Sequence, residues 1–305
     1  MPQRSLAFHT LDVFTTTRFA GNPLAVVTGA DELGTDAMQA VAREFNLSET
    51  VFVSAPDDER HEASVRIFTP THEMPFAGHP TIGCAILLAE RHWPKGRIDE
   101  VLVLEEKAGL VPVRVEREGP GHAPIRASLT APVTPTPRGE ALDPRFATEG
   151  LGLPADAVRE DHPVRVHEGG PSFLYVPLRD AEALGAARPA GAAFEALTAA
   201  AGCGSVYAYA LESGEAVGEV HARMFAPDAG IVEDPATGSA AAILASQLLG
   251  VRALGEGTTS LDVRQGVEMG RPSEIGLEID VEAGALAAVR VSGRAVRVMD
   301  GQIIV

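Results

Sequence analysis

The chain has 305 residues, of which 45% are hydrophobic and 22% are charged, and its formal net charge is −17. That length exceeds the usual size of one hydrophobic core and predicts two domains of about 150 residues each. The negative charge would repel a phosphate backbone or an anionic membrane surface, so nucleic acid and membranes are not expected as partners.

In the first half of the chain, hydrophobic periodicity predicts two helices and two pairs of strands. The second helix is apolar on nearly all sides, as expected of a helix surrounded by protein. The last two strands are separated by Gly109 and predict an antiparallel hairpin. In chain order the elements are helix 36–46, strands 51–54 and 63–69, a helix from Gly78, and strands 101–105 and 110–116.

The second half repeats this order of elements. It predicts helix 192–201, strands 205–210 and 220–226, and an apolar helix from Gly238 to about residue 249. Two clusters of residues also match. Residues 66–70 (Arg-Ile-Phe-Thr-Pro) resemble residues 223–227 (Arg-Met-Phe-Ala-Pro), and a Glu-x-Pro-x-x-Gly pattern ends at Gly78 in one half and at Gly238 in the other. The chain therefore contains an internal duplication.

The predicted fold class is α+β, with two pseudo-symmetric domains. In each, a curled mixed or antiparallel sheet surrounds a central helix; a doubly wound parallel sheet fits less well, because the strands after each helix form hairpins. The Pro-rich stretch 131–137 predicts the boundary, giving residues 1–131 and 132–305. The last strand, about residues 295–305, is a candidate to cross back to the first half.

A Pro-x-x-Gly turn opens the apolar helix of each half. The first N–H groups of a helix have no intrahelical partner and carry the positive end of its dipole, which suits a carboxylate ligand. If the halves face each other about a pseudo-two-fold axis, Gly78 and Gly238 bring both helix starts to one cleft. The alternative is that each glycine only permits close packing at its helix start.

The side chains beside the two glycines differ. His79 follows Gly78, Ser239 follows Gly238, and Asp234 stands where the first half has Met74. Different side chains at matched turns are typical of a site that distinguishes the two ends of a substrate. Asp and Ser are also common helix caps, so capping is the competing interpretation for Asp234 and Ser239.

Glu49 is the candidate acid/base residue. It lies between a helix and the apolar strand that begins at Val51, and the corresponding position near Ser205 carries no acid. A partly apolar junction favours the protonated form of a carboxyl group, which suits a residue that must take and return a proton. The competing interpretation is a charge on an exposed turn.

Several other chemistries have no support in the sequence. The only lysines are Lys95 and Lys107, which disfavours a Schiff base with pyridoxal phosphate. The cysteines Cys84 and Cys203 form no C-x-x-C pair, and there is no H-E-x-x-H or G-x-G-x-x-G motif. Ser239 does not lie in the G-x-S-x-G motif that is typical of a hydrolase nucleophile. The sequence shows no signal-peptide pattern and no apolar run long enough to span a membrane, so a soluble cytoplasmic protein is expected. Because the motifs above are absent, neither a cofactor nor a metal is expected.

Four motifs, in this order, resemble the phenazine biosynthesis PhzF-like family across nearly the whole chain. They are Phe19-Ala-Gly-Asn-Pro23 after Leu11-Asp-Val-Phe14, Asn46-Leu-Ser-Glu-Thr50, Phe76-Ala-Gly-His-Pro-Thr81, and Glu233-Asp-Pro-Ala-Thr-Gly-Ser-Ala240. The resemblance implies the diaminopimelate epimerase fold, with the active site between two similar domains. It also implies a small carboxylate-bearing substrate and a homodimer, which is common among relatives.

The resemblance further implies that Glu49 is the acid/base residue and that His79, Asp234 and Ser239 are its polar partners. The turns at Gly78 and Thr237-Gly238 would bind the substrate. The implied reaction is similar to isomerisation of trans-2,3-dihydro-3-hydroxyanthranilate, in which a proton moves along a conjugated system without cofactor or metal.

Diaminopimelate epimerases use two thiols, but the matching positions here are Ala77 and Thr237, so two-thiol racemisation is excluded. The alternative function is a member of the same fold that binds a small molecule or a protein without turnover.

Overall fold

The computed structural model describes residues 4–119, 121, 123–211 and 218–305. The chain divides into two compact units: residues 1–129 with 292–305, and residues 130–291. Residues 292–305, which hold most of the C-terminal strand, therefore belong to the first unit, and the chain passes between the units twice. The sequence-based expectation had set the division at residues 131/132 and had left the last strand open.

The first unit is built from one continuous series of paired strands, which follow the alternation of buried and exposed residues typical of a sheet with one face on a core. Their bounds, with those of the two helices, are β1 Ser5–Val13, β2 Asn22–Thr28, α1 Thr35–Phe45, β3 Glu49–Ser54, β4 Ala63–Phe68, β5 Glu73–Met74, α2 Gly78–His92, β6 Ile98–Glu106, β7 Gly109–Arg117, β8 Arg126–Thr130 and β17 Ala285–Ile304.

The strands of this unit close on themselves. Antiparallel pairs join β1 to β2, β3 to β4, β6 to β7 and β7 to β8, while β2–β3 and β4–β6 are parallel. Strand β17 pairs with both β8 and β1, which returns the series to its beginning. Helix α2 packs against β1, β2, β3 and β7 and is buried from His79 to Ala89. The curled sheet around a central helix is thus confirmed.

Close packing of α2 on the sheet depends on Gly83. A Cβ at this position would lie 2.6 Å from Leu24 Cδ2 and 2.7 Å from Val13 Cγ2. Both neighbours are fully buried, so neither can move into solvent to make room. The helix therefore approaches β1 and β2 more closely than any residue with a side chain would allow.

The second unit has the same plan. Its central helix α6 is buried over most of its length and packs against β9, β10, β11 and β16, while α3, α4 and α5 contribute to a separate core cluster around Phe194 and Leu197. Its element bounds are β9 Thr136–Leu142, α3 Pro144–Gly150, β10 Val164–Glu168, β11 Ser172–Pro177, α4 Ala181–Ala186, α5 Ala192–Ala201, β12 Val206–Leu211, β13 Glu219–Ala226, β14 Ile231–Asp234, α6 Gly238–Gly250, β15 Gly257–Gln265 and β16 Ser273–Glu282.

The duplication read from the sequence is present in the strand pairing. In the second unit β11–β12 is parallel, β12–β13 antiparallel and β13–β15 parallel. The first unit has the same sequence of pairings, with β2–β3 parallel, β3–β4 antiparallel and β4–β6 parallel. The two pseudo-symmetric domains of the predicted α+β class are therefore confirmed.

The matched sequence clusters form matched ion pairs within the two units. Arg66 Nε donates to Glu73 Oε1 at 2.8 Å, and Arg223 Nε donates to Glu233 Oε1 at 2.8 Å. Each guanidinium also lies over a phenylalanine ring two residues further along its strand, at 5.1 Å and 4.9 Å. Each pair links a strand to the segment that leads into the buried helix.

The predicted elements agree with the observed ones to within a few residues, and the helix predicted over 192–201 has the bounds of α5. Strand β3 begins at Glu49, two residues earlier than predicted. None of the helices in the described part of the chain combines the length and the hydropathy needed to cross a bilayer.

Substitution Gly83→Ala should destabilise the first unit by about 1–3 kcal/mol, because the added methyl group overpacks the contact with Leu24 and Val13. Thermal unfolding would show a lower Tm. The matched control is Gly250→Ala, at a helical glycine with nothing within 4 Å of the added Cβ, which should be neutral or slightly stabilising. Equal effects of the two substitutions would contradict the packing argument.

Candidate active site

The structure brings two of the predicted site residues together in the first unit. Glu49 is the first residue of β3, and His79 lies in the first turn of α2. Glu49 Oε2 is 3.5 Å from His79 Nε2, with side chains 14% and 6% exposed. Both atoms are shielded from solvent. The interpretation of Glu49 as a charge on an exposed turn is therefore wrong.

His79 is a neutral imidazole. Its complete burial lowers its pKa to about 3, because the charged form loses its hydration. Its immediate neighbour Gly78 opens α2, and the preceding residue Ala77 is extended and contributes no side-chain cap. The first turn of α2 thus presents backbone N–H groups beside an uncharged ring and a carboxyl group.

In the second unit the predicted residues form a hydrogen-bonded turn before α6. Thr237 Oγ1 donates to Asp234 Oδ2 at 2.5 Å. Asp234 is the last residue of β14 and is buried, whereas Ser239, in the first turn of α6, is half-buried. Asp234 therefore holds the turn through Thr237, and the side chain of Ser239 remains partly open to solvent.

Gln265, the last residue of β15, holds the same turn from behind. Its Nε2 donates to the Asp234 carbonyl oxygen at 2.8 Å and to Thr237 Oγ1 at 3.0 Å, and its Oε1 accepts from the Thr237 N–H at 3.1 Å. Tyr207 donates to the same oxygen at 3.4 Å. An amide can donate and accept at once, so one fully buried side chain satisfies several polar groups of the turn.

The segment after Gln265 also contacts the turn. Gly266 has φ +75°, and a Cβ there would lie 2.6 Å from the Pro235 carbonyl oxygen. Ser273 donates through Oγ to that same oxygen at 2.9 Å. A glycine is required at residue 266 both for the left-handed conformation and for the close approach to the Asp234–Thr237 turn.

Sequence reasoning missed Gln265, Gly266 and Ser273, which position the turn. One signal could have found Gln265. The residue ends the strand after the helix, as Glu106 does in the first unit, at an offset close to those of the matched motifs. Within the described part of the chain, no three His, Cys, Asp or Glu residues are grouped so as to hold a metal ion.

Comparison with known proteins gives the same family over nearly the whole length. Residues 11–301 match the phenazine biosynthesis-like protein family, PhzC-PhzF. An uncharacterized isomerase of Mesorhizobium japonicum is 44% identical over 298 residues, covering 96% of this chain and 97% of that protein. The trans-2,3-dihydro-3-hydroxyanthranilate isomerase of Pseudomonas aeruginosa is 35% identical over 298 residues, with the same coverage.

A solved structure has the same architecture. The PhzF-family phenazine biosynthesis protein of Bacillus anthracis superposes with a TM-score of 0.85 at 25% identity and covers 99% of this chain and 100% of that one. Fold and relatives together define an isomerase on the diaminopimelate epimerase fold. The chain belongs to the phenazine biosynthesis-like (PhzF) family.

His79 should remain uncharged throughout the range from pH 8 to pH 5, because its pKa lies near 3. NMR of the imidazole ring nuclei should show the His79 ring among those that do not titrate in this range, together with that of His167, whose pKa burial lowers to about 4. His79→Asn would assign the His79 signal by its disappearance. A titration of the assigned ring near pH 6 would contradict the neutral state.

Gln265→Leu should destabilise the second unit by about 2–5 kcal/mol, because the Thr237 N–H and the Asp234 carbonyl lose their partner in a buried position. Chemical denaturation would measure the loss. Gln39→Leu is the control, since it removes a single bond from a half-buried amide to the Thr69 carbonyl and should cost less than about 1 kcal/mol. A Gln265→Leu variant as stable as that control would refute the role of the amide.

Proposed function

We propose that this isomerase moves a proton on a small carboxylate-bearing substrate, without a cofactor, and that Glu49 is the acid/base. The observation that carries the proposal is the position of Glu49. Its carboxyl group lies in a shielded position beside a neutral imidazole and the first turn of a buried helix. A carboxyl group that is mostly shielded from bulk water can take a proton from carbon and return it, and can exchange that proton with solvent between these steps.

The reaction would take place on one face of the substrate. Glu49 would remove a proton from one carbon and return it to another carbon of the same conjugated system. The negative charge that develops between these steps needs stabilisation, and preorganised hydrogen-bond donors are the usual means. His79, being neutral, can donate from one ring nitrogen and accept at the other, so it can assist without adding a charge.

Each helix start, at Gly78 in the first unit and at Thr237-Gly238 in the second, offers backbone N–H groups to which a substrate carboxylate could bind. A helix N-terminus favours an anion through its free N–H groups and its dipole. This would allow a protein with a net charge of −17 to hold an anionic substrate. We assign Asp234 and Ser239 to substrate binding, with Asp234 acting partly through its bond from Thr237.

The relatives support an isomerase of this kind, and the Pseudomonas aeruginosa relative provides a test compound in its own substrate. The exchange test uses this compound in D₂O with the wild-type chain. We expect deuterium in the recovered compound, and loss of at least about 100-fold of this rate in Glu49→Gln, because general acid–base catalysis contributes factors of this size. Mass spectrometry or NMR would measure the label.

The matched control is Glu44→Gln, five residues earlier and exposed on α1, which should exchange at the wild-type rate. Thermal unfolding of both variants would check that they are folded. Exchange at the wild-type rate in Glu49→Gln would remove Glu49 from the mechanism. Binding of the compound without exchange in wild type would favour the alternative of a non-catalytic binding protein.

We also propose that the chain acts as a homodimer, as the resemblance implies. Sedimentation equilibrium would give twice the monomer mass of 31.9 kDa if this is correct. A single species at the monomer mass would contradict it.

A further inference from the structure

Glu106 is a buried carboxyl group that the proposed mechanism does not use. It is the last residue of β6 and is 7% exposed. Its Oε1 is 2.5 Å from Thr81 Oγ1, in the first turn of α2, and its Oε2 is buried with no hydrogen-bond partner among the described residues. Burying an ionised carboxylate with one oxygen unsatisfied would be costly.

The single proton of the Thr81 hydroxyl indicates whether Glu106 is ionised or protonated. Thr81 Oγ1 also lies 2.7 Å from the carbonyl oxygen of Ala77, the residue that precedes Gly78. A hydroxyl has one proton and can donate to only one of these two acceptors. Both short contacts are hydrogen bonds only if Glu106 is protonated, donating to Thr81 while Thr81 donates to Ala77.

The surroundings of Glu106 agree with a protonated side chain. Burial raises its pKa to about 7, and the hydrogen bond with Thr81 opposes this in part. A titratable group nearby is the thiol of Cys84 on α2, whose pKa is raised by burial and then by Glu106 and Glu62. The adjacent cation, Lys107, pairs instead with Glu73 at 3.2 Å.

The second unit has an amide where the first has Glu106. In the parallel pair β4–β6, Ser64 lies opposite Glu105, so the next step of the register places Glu106 opposite Val65. In β13–β15, Ala222 lies opposite Gln265. Residues 65 and 222 are separated by 157, the offset of the matched arginines. Gln265 and Glu106 are therefore structural counterparts at the ends of matching strands.

The two side chains hold matching helix starts through a hydroxyl group. In the second unit the hydroxyl belongs to Thr237, at the N-cap of α6, and bonds directly to Gln265. In the first unit the N-cap is Ala77, and the hydroxyl comes from Thr81, one turn further along. A protonated carboxyl group is isosteric with an amide and, like it, both donates and accepts.

We propose that Glu106 is a positioning residue that is held protonated and, through Thr81 and Ala77, fixes the helix start that carries Gly78 and His79. Its part in catalysis rests on the proposed function, whereas its protonation does not. Ionisation would turn the Thr81 hydroxyl from Ala77 towards Glu106, leave the Ala77 carbonyl with only the Thr81 N–H at 3.3 Å, and loosen the first turn of α2. The helix start would thus be held in place at neutral and lower pH, and it would be held less firmly as the pH rises above neutral.

The test compares wild type with Glu106→Gln, which has the amide of the second unit. A group whose pKa is raised on folding contributes stability that is fully present below its unfolded value of about 4.5 and is lost as the pH rises through about 7. Between pH 5 and pH 9 the Tm of wild type should therefore fall relative to that of the variant by about 3 °C or more. An unchanging difference in Tm, or one of opposite sign, would overturn the protonated state.

The second readout is the pH profile of deuterium exchange in the test compound. From pH 7 to pH 9, the ratio of the wild-type rate to the Glu106→Gln rate should fall about tenfold or more, because only wild type ionises at this position. A constant ratio alongside the expected change in Tm would refute the positioning role. If no variant or wild-type exchange occurs, the proposed function fails, while the stability measurement still decides the state of Glu106.

Glu105→Gln is the matched control, with the same chemical change one residue earlier. Glu105 accepts the N–H groups of Asp57 and Asp58, which lowers its pKa, so this variant should gain no stability over wild type as the pH rises. If Glu106→Gln does not fold, infrared spectroscopy of wild type replaces it. A protonated-carboxyl band at pH 6 that disappears by pH 9 would support the proposal, and its absence at pH 6 would overturn it.

Discussion

A buried helix leaves the N–H groups of its first turn without intrahelical partners, and this protein contains two such helices. Each is surrounded by its own sheet, so the surrounding protein must supply the hydrogen bonds that hold each helix start. In both units the side chain that ends the strand after the helix contacts the helix start: Glu106 bonds to the Thr81 hydroxyl in the first, and Gln265 accepts from the Thr237 N–H in the second. The remaining polarity of each helix start is then available to an anion.

The duplicated units share their supports and differ in their chemistry. The ion pairs Arg66–Glu73 and Arg223–Glu233 connect the same two elements in each unit. The groups that face the helix starts are not repeated, since one unit has His79 and Glu49 and the other has Asp234 and Ser239. Supports that serve packing can stay alike through a duplication while the groups beside each helix start change.

Burial makes polar groups effective here. Taken out of water, His79 remains neutral beside Glu49, and burial raises the pKa of Glu106 to about 7. A hydrogen bond in such surroundings is stronger than in water, and a missing partner is correspondingly costly. For the binding of an anion at a helix start, the donors and acceptors around that helix start therefore matter more than the net charge of the chain.

Much of this protein was determined by the sequence alone. Periodicity predicted the helices and strands, because burial of one face imposes a repeat that the residues must follow, and matched motifs predicted two similar units. The roles of Glu49, His79, Asp234 and Ser239 stay predictions. Only the tertiary structure decided which side chains hold these residues in place. Glu106 and Gln265 are far in sequence from the turns they contact, and a single buried polar residue has no period. The 3.5 Å approach of Glu49 to His79 likewise depends on how α2 packs in its sheet, which no local pattern records.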